Sequence, residues 1–206
     1  AGHSLNMKRI NQLSRRDVEL HMRETLLDGF TKVDRFHLRH RLHTGGWSEP
    51  ISREVQMRGA VAAVIPYDPV RDTVILIEQF RGGLFAADDP YPWSTEIVAG
   101  IVEPGETPDD MARRETLEES GCEIGRLEQV MEFYSSPGGS TQRVVMFCGE
   151  VSSDGVDGVF GLASEGEDIR AFACPAGEVL DLVRDGIIDN AVGIVGLQWL
   201  AMNRAA

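Results

Sequence analysis

Polar and apolar residues alternate along the first part of the chain with the two-residue period of β-strands. The alternation runs through residues 18–23, stops at the turn signal Asp28-Gly29 and resumes over residues 36–42. We therefore expect residues 7–57 to form a small antiparallel β unit of two or three strands. A unit of this size is marginal alone and needs a partner surface.

Two apolar runs follow, at residues 60–66 and 73–80, and a short turn with proline and aspartate separates them. This pattern predicts a buried β-hairpin. A segment rich in Gly, Pro and Asp over residues 82–93 predicts a loop, and residues 96–100 predict a short strand.

The period then changes to that of a helix. Thr107 is a good N-cap, Pro108 suits the first helical position, and Gly121 ends the pattern. The sequence therefore predicts a helix over residues 108–120.

The rest of the chain continues to mix strands with helices. We expect strands at 128–136, 143–151 and 170–175, a Gly-, Asp- and Ser-rich stretch at 152–167, and helices at 177–186 and 190–203. Because the elements follow no regular βαβ repeat, the predicted fold class is α/β, with a mixed sheet covered by helices.

Composition narrows the class of protein. The 206 residues are 42% hydrophobic and 26% charged, and no apolar run approaches the ~18 residues of a membrane span. This composition excludes collagen-like, disordered and membrane-spanning proteins. A net charge of −13 disfavours nucleic acid as a partner, and the lack of a long apolar run predicts no membrane partner. Three widely spaced cysteines predict no disulfide framework and no zinc site, so we expect a cytoplasmic protein. Residues 1–6 read as an expression scar before Met7.

Three histidines, His37, His40 and His43, invite a metal interpretation. On a strand, a spacing of three residues turns the first two side chains to opposite faces. We therefore expect surface histidines.

Acids are concentrated between residues 96 and 132, where eleven of them accompany three arginines. Such a run is often a solvated face. However, Glu115 and Glu119 are four residues apart on one helix face, with Glu118 beside them, and like charges at this spacing repel. Arg114 is placed to neutralise Glu118, which leaves Glu115 and Glu119 available to a divalent cation.

The segment before this helix adds a second kind of ligand. Residues 99–106 leave a strand through two glycines and are able to present a backbone carbonyl beside the carboxylates. An oxygen-only site suits Mg²⁺ or Mn²⁺ rather than zinc.

These residues also match a known motif. Gly100, Glu106 and the run Arg114–Cys122 follow the Nudix box, GX5EX7REUXEEXGU, in which U is a bulky apolar residue. Thr116 and Cys122 depart from it because both are small at apolar positions. They affect the expected packing of the helix and leave the chemistry untouched.

The wider sequence resembles the ADP-ribose pyrophosphatase branch of the Nudix hydrolases over residues 17–206. Pro137 lies fifteen positions past the box, as is typical of that branch, and four further segments look similar: residues 58–72, 77–81, 161–170 and 188–191. The resemblance implies a Nudix α/β/α sandwich over residues 58–206. It also implies that the preceding β domain is exchanged across a homodimer.

The resemblance also suggests the role of each acid. Glu115, Glu119 and the backbone carbonyl of Ala99 would bind metal, with Glu118 in or beside the cluster. In the later acidic loop, Glu167 resembles a further ligand and Glu165 resembles the general base. The alternative for this loop is an acidic flexible segment without a catalytic role.

Two arginines match positions that contact the dinucleotide in relatives. Arg53 and Arg81 each leave a predicted strand next to a turn, and a diphosphate requires donors besides metal ions. The alternative is ordinary surface salt bridging.

The resemblance implies hydrolysis of ADP-ribose to AMP and ribose 5-phosphate, assisted by two to three Mg²⁺ or Mn²⁺ ions. Two alternatives remain open. One is another nucleoside diphosphate sugar, such as GDP-mannose, as the substrate. The other is a catalytically silent Nudix fold that senses a nucleotide, although repelling carboxylates would be of little use to a binder.

Overall fold

The computed structural model describes residues 13–204, so the expected expression scar at residues 1–6 lies outside the described part. The chain divides into two compact units. The first comprises residues up to Arg58 together with Ser136–Thr141, and the second comprises the rest.

The N-terminal unit is a three-stranded antiparallel sheet in the order β1-β2-β3, as the alternation predicts. Its strands are β1 (Val18–Asp28), β2 (Lys32–His40) and β3 (Ile51–Met57). Asp34 is fully buried between β1 and β2, where it accepts hydrogen bonds from Arg23 Nε and Thr25 Oγ1, both at 2.8 Å. The arginine also pairs with this aspartate, which satisfies the buried charge.

Two histidines of this unit, His37 and His40, have separate hydrogen-bond partners. His37 contacts Glu24 Oε1 at 3.3 Å and Ser52 Oγ at 2.8 Å, whereas His40 Nδ1 lies 2.9 Å from the carbonyl of Arg41. His37 and His40 are half-buried and His43 is exposed, so the expectation of surface histidines holds fully for His43 and only in part for the other two.

The second unit is built on a mixed eight-stranded sheet. Six strands follow the order β10-β11-β5-β4-β9-β8, and two short strands pair with its central strands outside this order, β6 with β5 and β7 with β4. Only the β4–β9 pair is parallel among the pairs of this sheet in the described chain. The strands are β4 (Val61–Asp68), β5 (Thr73–Phe80), β6 (Trp93–Glu96), β7 (Val98–Ile101), β8 (Leu127–Tyr134), β9 (Arg143–Glu150), β10 (Asp157–Phe160) and β11 (Ile169–Pro175).

Helices cover both faces of this sheet. They are α1 (Gly82–Ala86), α2 (Pro108–Ser120), α3 (Val179–Arg184) and α4 (Ala191–Asn203). Met111 of α2 packs in the core on one face, whereas Val179 of α3 and Leu197 of α4 pack in the core on the other. The alternation of side chains along each central strand fills both cores, which confirms the predicted α/β/α arrangement with a mixed sheet.

Three local predictions were wrong. The loop expected over residues 82–93 contains the short helix α1, and the polar stretch 152–167 contains β10. The strand expected over residues 96–100 is two strands, β6 and β7. These elements have four or five residues each, which is too short for a clear period.

Among the described residues, no helix has both the length and the apolar character needed to cross a bilayer.

Candidate active site

Helix α2 carries most acids of the site and has the predicted ends. The hydroxyl of Thr107 accepts a hydrogen bond from the backbone N–H of Asp110 at 3.2 Å, and Gly121 is left-handed with φ 70°. Thr116, one departure from the motif, is buried and donates its hydroxyl to the carbonyl of Ala112 at 2.7 Å. The helix therefore packs without an unsatisfied hydroxyl at this position.

The glutamates of α2 are withdrawn from water to different extents. Glu119 is only 3% exposed, and the side chains of Glu115 and Glu118 are 14% and 27% exposed. The alternative of a solvated acidic face is therefore wrong for this stripe.

Arg114 gathers three carboxylates. Its guanidinium contacts Glu118 at 3.0 Å, as the helical spacing predicts, and also Glu115 and Glu106, both at 2.9 Å. These acids hold the pKa of Arg114 above its usual range, with Glu106 as the largest cause. The expectation that Glu115 would lack an arginine partner was wrong, because Arg114 spans both neighbours.

Glu119 is the most perturbed acid. Burial, followed by the nearby charges of Glu115 and Glu167, raises its pKa to about 8. The charge of Arg81 and a hydrogen bond from the backbone of Ala99 oppose this rise. Its Oε2 atom is buried and has no hydrogen-bond partner within residues 13–204.

Strand β7 brings its backbone against the carboxylate of Glu115. A Cβ atom on Gly100 would lie 2.3 Å from Oε1 of Glu115, so only glycine fits there without displacing the acid. Burial is the main cause of the raised pKa of Glu115, and Arg114 counteracts it. Ala99, whose carbonyl the resemblance assigns to metal, immediately precedes this glycine.

The acidic loop places its two glutamates differently. Glu165 is exposed at the end of a short 3-10 turn, Ala163–Glu165. Glu167 is half-buried and accepts a hydrogen bond from the N–H of Leu162 at 3.0 Å. At the start of the loop, the N–H of Gly161 donates to the carbonyl of Glu118 at 3.1 Å, which ties the loop to α2.

Arg81 directly follows β5 and forms a two-pronged ion pair with Glu96 of β6, at 2.9 Å from Nε and 2.6 Å from Nη2. The pKa of Arg81 is raised by Glu96 first, and the charges of Glu119 and Glu167 add to the rise. A cavity of about 270 Å³ is lined by this pair together with Ala99, Gly100 and the first residues of α4. One side of the Arg81 guanidinium thus binds a structural partner, and its charge interacts with the carboxylates of the site.

Arg53 belongs to the N-terminal unit. It lies inside β3, so the expectation that it leaves a strand next to a turn was wrong, and its exposed side chain donates to the carbonyl of Ser52 at 2.8 Å. This placement leaves its guanidinium without an acidic partner among the described residues.

Sequence reasoning missed three residues near this site. Glu96 binds Arg81, Asn190 caps α4, and Gln79 is buried with an Nε2 atom that has no partner in the described chain. Gln79 lies in β5 two residues before Arg81, whose backbone is still extended, and this spacing of two offered a signal that they share a face.

A divalent cation fits these residues. Within residues 13–204, no three His, Cys, Asp or Glu side chains already enclose a metal position. Three features nevertheless suit a hard cation. Oε2 of Glu119 has no partner in the described chain, the acids repel one another, and Gly100 lets the strand backbone lie directly beside Glu115. The donor set contains only oxygen atoms.

Fold and site together define an α/β/α protein with a buried carboxylate cluster on one helix beside a cavity that contains an arginine. The NUDIX domain profile matches residues 57–189, and the chain belongs to this family.

Relatives and a solved structure extend the comparison. ADP-ribose pyrophosphatase from Escherichia coli (strain K12) is 43% identical over 92% of this chain and 90% of its own length. GDP-mannose pyrophosphatase from Cronobacter sakazakii is 35% identical over 73% of this chain and 78% of its own. The crystal structure of an ADP compounds hydrolase covers 94% of this chain and all of its own, with a TM-score of 0.71 and 19% identity, and so supports the fold.

Proposed function

We propose that this protein hydrolyses the diphosphate of ADP-ribose and releases AMP and ribose 5-phosphate. The observation that carries the proposal is the buried Glu119, which the partly buried Glu115 and Glu167 repel, beside a cavity that contains Arg81. The E. coli relative supports the choice of ADP-ribose, because similarity to it extends over most of both chains.

We assign the metal-binding role to Glu115, Glu119, Glu167 and the carbonyl of Ala99, with Mg²⁺ or Mn²⁺ as the ion and two to three ions as the number. When bound, such ions neutralise phosphate oxygens and lower the pKa of coordinated water. The carboxylates of α2 supply the negative charge that holds them.

The remaining residues act on the substrate and on water. Glu165 accepts the proton of the water whose oxygen forms the new bond to phosphorus, while the bridging P–O bond breaks and the leaving phosphate takes the electron pair. Glu118 adds its negative charge to the metal-binding carboxylates of α2. Arg53 and Arg81 donate hydrogen bonds to the diphosphate.

The proposal includes a homodimer in which the N-terminal β unit is exchanged. Several apolar side chains of that unit are half or more exposed, including Leu20, Met22, Leu27 and Phe30. An exposed apolar set of this kind supports an interface. The measurement is molar mass in solution by light scattering across protein concentrations.

We assign the protein to the cytoplasm. Its three cysteines are free thiols in the structure, with Cys122 and Cys174 buried. Free thiols suit a reducing compartment.

The deciding experiment measures products with Mg²⁺ present for ADP-ribose, GDP-mannose and diadenosine polyphosphates. We expect AMP and ribose 5-phosphate from ADP-ribose at the highest kcat/KM, with turnover reduced more than about tenfold in the matched variant Glu119→Gln. Faster cleavage of GDP-mannose would transfer the assignment to that substrate. Binding of ADP-ribose without any product would favour the sensor.

A further inference from the structure

Asn190 joins the start of α4 to strand β6. Its Oδ1 accepts the backbone N–H of Gly193 at 2.8 Å, which caps the helix. Its Nδ2 donates to the carbonyl of Thr95 at 2.9 Å and lies 3.4 Å from Ser94 Oγ. Since one end of the amide accepts and the other donates, both the cap and the bond to β6 depend on this side chain.

Strand β6 needs such a support. It has four residues, Trp93–Glu96, and within the described chain it pairs with β5 alone. The bond from Asn190 therefore holds β6 from an element outside the sheet. A short strand with one neighbour is weakly held by its own hydrogen bonds.

The position of β6 matters because the strand ends at Glu96. Glu96 lies opposite Ile77 of β5 and binds the guanidinium of Arg81 with both oxygens. A two-pronged pair fixes the plane of a guanidinium as well as its position. Asn190, Glu96 and Arg81 line the same cavity.

We propose that Asn190 is a positioning residue for Arg81: it holds β6 against α4, so that Glu96 orients the Arg81 guanidinium toward the diphosphate. The inference rests on the substrate-binding role of Arg81 proposed above. Asn190 acts through Glu96 and takes no part in the bond-breaking step.

The test separates the helix cap from the bond to β6. Asn190→Ser and Asn190→Asp both retain a good N-cap acceptor, and both lose the amide donor to Thr95. Asn203→Ser is the matched control. Its amide donates to Trp199 at the exposed far end of the same helix, away from the cavity.

We expect Asn190→Ser to raise KM for ADP-ribose about three- to tenfold, the effect of about one hydrogen bond, with kcat within about twofold of wild type. The Arg81 Nε–H signal in NMR should exchange faster with water. The control should change neither quantity. If Asn190→Ser lowers the melting temperature, Asn190→Asp takes its place.

A double-mutant cycle with Glu96→Gln tests whether Asn190 acts on Arg81 through Glu96. If Asn190 acts through Glu96, its substitution adds little to KM once Glu96 is replaced. Fully additive effects, or unchanged KM and unchanged Arg81 Nε–H exchange, would overturn the inference.

The NMR measurement requires no substrate, so it separates the two proposals. If the wild-type protein fails to cleave ADP-ribose, the proposed function is wrong, and faster Nε–H exchange in Asn190→Ser still supports the link from Asn190 to Arg81. If the wild-type protein is active and the exchange rate is unchanged, the link alone is wrong.

Discussion

Gly100 and Glu115 approach so closely that a Cβ atom on the glycine would lie 2.3 Å from the carboxylate oxygen Oε1 and 2.7 Å from Cγ. Gly100 is not one of the positive-φ glycines of the described chain. Glycine is therefore required here because of the space it leaves, and not because of its backbone conformation. The strand can therefore present its backbone directly beside a helix carboxylate.

Gly100→Ala should abolish most activity while the protein remains folded. The end of the Glu115 side chain is flexible, so it moves away from the new methyl group at low cost and leaves the site. We expect kcat/KM to fall more than about a hundredfold, or ~2.7 kcal/mol in transition-state stabilisation, with a small change in melting temperature. Gly125→Ala is the control, because its Cβ would meet Glu150 O at an ordinary 3.7 Å. Comparable activity in the two variants would contradict the requirement for glycine at residue 100.

Glu119→Gln should reduce turnover by more than about tenfold at saturating Mg²⁺, at least ~1.4 kcal/mol. The amide keeps the shape of this buried side chain but cannot supply a metal-binding charge. The measurement is kcat over a Mg²⁺ titration, with Glu128→Gln as an exposed control in β8. A variant that keeps more than a tenth of wild-type activity would remove Glu119 from the ligand set.

The raised pKa of Glu119 predicts how stability depends on pH in EDTA. Because the pKa is about 8 in the folded protein and 4.5 is the ordinary value, the folded chain retains a proton that the unfolded chain releases between these values. The free energy of unfolding should therefore fall as pH rises through this window, by up to about 1.4 kcal/mol per pH unit from this group.

Urea denaturation between pH 5 and 9 measures this slope. Glu119→Gln should have a smaller slope and a higher melting temperature than wild type at pH 8, because the burial cost and the repulsion from Glu115 are removed. Equal slopes in the two proteins would show that Glu119 does not retain its proton.

Glu165→Gln tests the assignment of the base. If Glu165 accepts the proton from water, kcat should fall about 10²- to 10⁴-fold with little change in KM. A metal ligand would instead shift the Mg²⁺ dependence to higher concentration, with partial recovery at high metal. An unchanged kcat would exclude both roles and transfer the base to Glu118 or Glu167.

Deletion of residues 1–57 should give a poorly soluble or inactive protein. The deletion removes Gln56, whose N–H donates to Gly139 O at 2.8 Å and whose carbonyl accepts from Thr141 N at 3.0 Å. The segment 136–141 then loses these two backbone hydrogen bonds. A soluble monomer with full activity, measured by light scattering and product assay, would contradict the exchanged dimer.

Elements in which the periodic pattern continues over many residues, or whose ends carry strong signals, were predictable. Helix α2 lies between Thr107 and Gly121 as expected, and β5 covers residues 73–80 as expected. Short elements were not, because α1 and β10 have too few residues to show a period. The sheet order was also beyond local pattern, since β4 pairs in parallel with the distant β9.

From the amino-acid order alone it follows that Glu115 and Glu119 share a helix face, because 3.6 residues per turn place them on one stripe wherever the helix packs. The burial of Glu119 and the additional contact of Arg114 with Glu115 follow instead from the three-dimensional fold. The bond from Asn190 to Thr95 joins residues 95 positions apart, which no local pattern contains. Burial and long-range contacts depend on what other segments bring to a side chain, and these set the charge, pKa and partners on which the chemistry depends.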